Sequence, residues 1–394
     1  MPKAQISRDA AVPQGFAFSA AKAGIKISGA PDLALAEIPR GASAAALFTT
    51  NRVVAAPVQV GREHLAASSV IRAVIVNSGN ANCATGKQGI RAADAVCAAV
   101  ARALGAEDDE VFPSSTGVIG VPLPVERVTA AIPELVNGRA ATVEAAESFA
   151  RAIMTTDTRP KIASAQIAGS TILGVAKGAG MIHPRLATML VYLFTDAAAS
   201  PAELRRLLKQ VVRTSFHRIS VDGDTSTNDT VLLLASGASR KRTSPDFVTA
   251  LTGVCESLAQ QIVADAEGVQ HVVELSIEKA RNEGEAEQVA RAIANSPLVK
   301  TAWAGADPNW GRVLAAAGYS GAAINAERVD IFFGPHQVCR KGQVATFDER
   351  VVHEYLQQPT ITVRVVLNQG GAAVTFWTCD LTAEYVRINA DYHT

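Results

Sequence analysis

Two hydrophobic periods run through this chain. At i, i+4 spacing, Ala92, Val96, Val100 and Leu104 predict a helix over about 89–104. Ser200 as N-cap, Pro201 in the first turn and Glu203 beyond it form a capping-box signature, and Leu204, Leu207, Leu208 and Val211 give the helix that follows an apolar face. Ser244-Pro245-Asp246 opens another helix in the same way, running to about 264, and further helices are predicted at about 142–154 and 284–295. Between them lie short apolar and β-branched runs of strand character at 70–76, 171–176, 189–195, 230–236 and 271–277. The last quarter turns to β pattern, with runs at 329–333, 360–367 and 373–379. Helices and strands mixed without strict βαβ alternation predict an α+β fold of layered sheets and helices.

Composition narrows the function classes. The 394 residues are 48% hydrophobic but only 5% aromatic, so the chain can bury a sizeable core built mainly from Ala, Val, Leu and Ile. Lys plus Arg and Asp plus Glu each number 37, and the zero net charge gives no basic field for nucleic acid or an anionic membrane. No apolar run reaches the roughly 18 residues of a spanning helix, and the first fifteen residues lack the apolar stretch of a secretory signal. The five cysteines are odd in number, scattered and without a CxxC pair. That pattern disfavours a disulfide framework or a zinc site and fits a reducing cytoplasm. No metal and no bound cofactor are expected.

The familiar phosphate, nucleotide, zinc-protease and hydrolase-elbow motifs are absent. Five polar, Gly- or Thr-rich segments remain, at 113–120, 154–158, 176–190, 220–230 and 306–312. The loop NSGNANCATGKQG (77–89) after the strand at 70–76 adds glycines and asparagines that suit positive φ angles. Residues 222–229 carry the oxygens of a calcium loop, but the slot for its closing glutamate falls on Leu233. The segment 176–190 runs through small residues to Ala187-Thr188 at the mouth of an apolar strand. An internal threonine hydroxyl is inert at neutral pH. If the bond before it is cut, the new α-amine, with a pKa of roughly 7.7–8, becomes a general base beside its own Oγ. On this segment alone, an ordinary threonine at a strand start is the better explanation of the residue.

Taken together and in order, these segments resemble the ornithine acetyltransferase family of arginine biosynthesis, the bifunctional glutamate N-acetyltransferases. AGIK (23–26), PDLAL (31–35), FTTN (48–51), AAPV (55–58), NSGNAN (77–82) and STGVIG (115–120) come first. TTDT, KGAGM, ATML, VDGDTSTND, SPLVKTA (296–302), DPNWGR and YVRINADYHT (385–394) follow. The resemblance implies a self-cleaving N-terminal-nucleophile enzyme cut between Ala187 and Thr188. Its α chain would be 1–187, with the oxyanion hole and the Lys177 loop. Its β chain would be 188–394, with the nucleophile at one end and a substrate-binding tail at the other. Thr188 would take the acetyl group of N2-acetyl-L-ornithine and pass it to L-glutamate in a ping-pong cycle. The resemblance further implies oxyanion donors at Thr116 and Gly117, substrate contacts from Thr155, Lys177, Thr188, Glu267, Asn389 and Thr394, and an α2β2 or larger assembly of the cleaved chains.

The chain departs from the family pattern in three places. PRLATML stands where PNMATML is usual, DAEGVQH (265–271) where DGEGATK is usual, and SFHRISVDGD where SFNRITVDGD is usual. The nucleophile is untouched, but His271 replaces a lysine near Glu267. Acetyl-CoA as a second acetyl donor stays open at this stage. So do a self-cleaving amidohydrolase or aminopeptidase, and a secondary-metabolism acetyltransferase with an altered substrate.

Overall fold

A computed structural model describes residues 6–68, 70–183 and 189–391. Ala187, Thr188 and Thr394 therefore lie outside the described residues. The chain divides into two compact units. The first comprises Met1–Met181, Arg185–His217 and Asp224–Ile262; the second comprises Ile182–Pro184, Arg218–Gly223 and Val263–Thr394.

The first unit is built on β1 (Ala17–Ala21), β2 (Leu33–Phe48), β3 (Ile71–Asn80), β4 (Val111–Val118), β5 (Lys161–Ile167), β6 (Ser170–Lys177), β7 (Leu190–Thr195) and β8 (Thr230–Ala235). Among the described residues these form one eight-stranded sheet ordered β4-β3-β2-β8-β7-β6-β5, with β1 on β2. The pairs β3–β4 and β7–β8 are parallel and the others antiparallel. Strand periodicity sends alternate residues to opposite faces. Ala34, Ala36, Val74 and Val76 thus join Phe149 and Ile153 in one core. Leu33, Leu35, Ala73 and Ile75 meet Val96, Val100, Val128 and Ile132 in another. The helices are α1 (Ala56–Ala67), α2 (Gly86–Leu104), α3 (Val125–Asn137), α4 (Val143–Ala152), α5 (Pro201–Thr214) and α6 (Pro245–Val263). Gly174 lets α6 approach β6 closely: a Cβ there would lie 2.7 Å from Leu258 Cδ1.

The predicted helices and strands are present, with shifted ends. The strand at 70–76 continues to Asn80, because parallel pairing with β4 carries it through the expected loop. The positive φ angles in that segment are found at Gly79, Asn82, Ala84 and Gly86. Ser200 Oγ accepts the Glu203 amide at 3.3 Å. Glu203 turns its carboxylate to the Thr243 hydroxyl and does not close the capping box.

The second unit carries β9 (Val272–Ala280), β10 (Asp330–Phe333), β11 (His336–Arg340), β12 (Gln343–Val344), β13 (Thr360–Val366) and β14 (Ala372–Cys379). Their order is β12-β11-β10-β13-β9-β14, with β13 parallel to β9. The helices are α7 (Glu283–Ala294), α8 (Pro297–Ala304), α9 (Trp310–Gly318), α10 (Glu349–Leu356) and α11 (Ala383–Asp391). Val273, Leu275 and Ile277 project from β9 into a core with Ala286, Val289, Ile293 and Trp303. Among the described residues, no helix of either unit is long and apolar enough to cross a membrane.

Candidate active site

The end of β4 holds a sharp backbone constraint. Gly117 has φ +132°, and a Cβ there would fall 2.3 Å from the Gly79 carbonyl carbon and 2.5 Å from the Asn80 amide nitrogen. Only glycine fits where the two parallel strands approach this closely. Side-chain amides fix the surroundings. Ser115 Oγ donates to Asn77 Oδ1 at 2.6 Å, and Asn77 Nδ2 donates to the Asn80 carbonyl at 2.8 Å. Asn228 Nδ2 donates to the carbonyls of Ala81 and Ser115 at 2.7 and 2.9 Å. Buried amides satisfied in this way hold the main chain of 115–117 in one geometry.

A buried charge cluster stands beside it. Lys177, 4% exposed at the end of β6, donates from Nζ to Thr116 Oγ1 at 3.2 Å. Asp157 Oδ1 accepts Lys161 Nζ at 2.6 Å and the Gly178 amide at 2.7 Å, and its Oδ2 accepts the Thr155 amide at 3.0 Å. Burial alone would raise the Asp157 pKa. The Lys177 and Lys161 ammoniums and the Gly178 amide outweigh it and hold the carboxyl below the usual range. Lys26, of the AGIK segment, donates to the Pro31 and Ala152 carbonyls at 2.9 and 3.3 Å. Burial lowers its pKa and the neighbouring Lys177 adds to that, while Asp32 opposes both. Asp157 thus positions Thr155 and the turn that follows Lys177, while Lys177 keeps its ammonium next to Thr116.

In the second unit, Glu267 Oε2 accepts Asn389 Nδ2 at 2.9 Å. Gly268, at φ +69°, packs against the start of α11, where a Cβ would lie 2.5 Å from the Tyr385 nitrogen. Thr382 Oγ1 donates to the Gly268 carbonyl at 2.7 Å, and the Tyr385 hydroxyl donates to Asp222 Oδ2 at 3.2 Å. His271 points its Nδ1 at the Gln358 carbonyl, 2.8 Å away, so its ring is engaged with main chain there.

Of the residues singled out in the sequence, Thr116, Gly117, Thr155 and Lys177 gather in the first unit, and Glu267 and Asn389 pair in the second. Asp157 and Lys161 were not singled out. The one available signal was a lysine heading a strand of mostly small and apolar residues four residues after an aspartate. Such a lysine is buried only with a paired charge.

The sequence matches the ArgJ family over residues 17–394. The chain belongs to that family. The arginine biosynthesis bifunctional protein ArgJ of Geobacter sulfurreducens is 45% identical, over 97% of this chain and 99% of its own. Among solved structures, a chain of the Bacillus halodurans arginine biosynthesis bifunctional protein is 41% identical, covering 52% of this chain and 98% of that one, with a TM-score of 0.49. A chain of the Mycobacterium tuberculosis ornithine acetyltransferase complexed with ornithine is 39% identical, over 47% of this chain and 100% of that one, with a TM-score of 0.45. The family read from the order of motifs is the family found.

Chemically, the first unit offers the glycine-shaped main chain at the end of β4, with the Thr116 hydroxyl and the buried Lys177 cation beside it within hydrogen-bond reach of each other. That set suits an oxyanion formed at an acyl carbon.

Proposed function

We propose that this ArgJ-family protein transfers the acetyl group of N2-acetyl-L-ornithine to L-glutamate through an acetyl-enzyme on Thr188. The nucleophile is freed by cleavage of the Ala187-Thr188 bond into chains 1–187 and 188–394. Thr188 Oγ attacks the acetyl carbonyl, its α-amine taking the hydroxyl proton. The C–N bond breaks, ornithine leaves with that proton, and the ester remains. The glutamate amine then attacks the ester, the C–O bond breaks, and Oγ regains its proton. Amide is exchanged for amide, so no energy source is required.

The observation carrying this reading is Thr116–Gly117 at the end of β4, with Lys177 Nζ 3.2 Å from Thr116 Oγ1. Loss of one oxyanion donor typically costs about 10²–10³ in rate. Lys177 is assigned the substrate carboxylate as a point charge, and Glu267 the ornithine ammonium. Thr155, Asn389 and Thr394 complete the proposed contacts. The cleaved chains assemble as α2β2 or larger in a cytoplasmic enzyme, and acetyl-CoA is a candidate second donor.

Acetyl-labelled acetylornithine, supplied with and without glutamate, tests the reading. Label on Thr188 in the 188–394 chain without glutamate, and on glutamate when it is added, is expected. Label passing only to water would make the protein an amidohydrolase and overturn the transferase reading.

A further inference from the structure

Asp229 closes the segment VDGDTSTND, and none of the roles above uses it. It is 1% exposed, directly before β8. Its Oδ1 accepts the Met189 amide at 2.8 Å. The Met189 carbonyl in turn accepts the Thr230 amide at 3.1 Å, and the Asp229 carbonyl accepts the Thr49 amide at 2.9 Å. Met189 is therefore held at both its main-chain polar groups, the amide by Asp229 and the carbonyl by Thr230, and Asp229 is itself tied to Thr49 just after β2. The Met189 nitrogen is three covalent bonds, at most about 4 Å, from the α-nitrogen of the residue before it. No amide of β7 itself lies as near the proposed nucleophile along the chain.

We propose that Asp229 is the positioning residue for the nucleophile, clamping the Met189 amide so that residue 188 is presented in one register for cleavage and acetyl transfer. This deepens the proposed function and rests on it. The clamp needs only a neutral acceptor oxygen. Burial, opposed by the Met189 amide and by Lys177, raises the carboxyl pKa well above its usual value, which favours the uncharged form.

The test compares full-length Asp229→Ala and Asp229→Asn with the parent protein. The readouts are self-cleavage followed by intact mass, kcat and KM for transfer, and thermal unfolding. Misplacing a reacting group by about an ångström costs on the order of 10²-fold. Asp229→Ala is expected to slow cleavage and lower kcat by about 10–100-fold, with KM changed less than about threefold. Asp229→Asn keeps an acceptor oxygen and is expected to recover most of both losses. Alanine cleaving and turning over like the parent would overturn the proposal. Asparagine as damaged as alanine while equally folded would overturn the neutral-acceptor role. Because cleavage is read without any substrate, these outcomes stay separable from a failure of the parent to acetylate glutamate.

Discussion

Replacing Gly117 by alanine puts the geometry of the proposed oxyanion site at the end of β4 under direct test. The new Cβ would sit 2.3 Å from the Gly79 carbonyl carbon, where ordinary contact begins at 3.4 Å. Both neighbours are main chain, so β3 and β4 must part by roughly 1 Å. Overpacking of this kind costs about 1–3 kcal/mol. The φ of +132° adds a backbone cost of about 1–3 kcal/mol for a residue with a side chain. At about 2–4 °C per kcal/mol in a unit of this size, the combined cost of about 2–6 kcal/mol should lower Tm by roughly 4–24 °C. Thr116 moves with its strand, away from the Lys177 ammonium, so kcat should fall by about 10²-fold or more with KM little changed. Gly120→Ala is the control. It also has a positive φ, +87°, but no atom lies within 4 Å of its added Cβ, so it carries the backbone cost without the clash. Turnover and Tm of Gly117→Ala equal to those of Gly120→Ala would refute the reasoning.

Two further substitutions probe the supports. Asp157→Ala leaves the fully buried Lys161 ammonium without its carboxylate, and should destabilise the protein by about 3–5 kcal/mol in denaturant titrations. The Asp157 pKa is depressed in the folded state, so its contribution is fully present above the unfolded value of 3.8 and fades as pH falls below it. The stability gap between the parent and Asp157→Asn should accordingly narrow on acidification below about pH 4, and a gap that widens there would contradict the assignment. Gly268→Ala, whose Cβ would meet the Tyr385 nitrogen at 2.5 Å, should displace α11 and Asn389 and raise KM for acetylornithine by about tenfold with little change in kcat. An unaltered KM in steady-state assays would remove Asn389 from the binding residues.

The regular part of this fold was legible because its period is local. The helix after Ser200 announces itself by a cap, a proline and a leucine stripe, and each is used in the structure. The strand β2 was not legible. It runs for 16 residues but is alanine-rich and broken by Pro39-Arg40-Gly41, and it changes partner from β3 to β8 across that break. No local pattern reports such a switch, since the register is set by strands far away in sequence. The short helices α8 and α9 were hidden for a different reason. Their caps, Ser296 and Asn309, lie inside SPLVKTA and DPNWGR, whose prolines and glycines read as loop. At the site, the residue types were visible and their partnerships were not. Asp157 and Lys161 are four apart and meet directly, whereas Lys177 reaches Thr116 and Asp229 reaches Met189 across 61 and 40 residues. Those contacts exist only once β4, β6, β7 and β8 are in place.

The strand order also fixes what breaking the polypeptide before β7 would do to the sheet. Strands β7 and β8 would belong to the later fragment, yet they sit in mid-ribbon, flanked by β2 and β6 of the earlier one. Two complete ladders, Phe48-to-Ser43 on β8 and Lys177-to-Ile172 on β7, would stitch the halves together. Scission would then sever one covalent bond and leave the fragments interleaved. Each would lack the central or the outer staves of a shared sheet, and the two would reassemble poorly if produced apart.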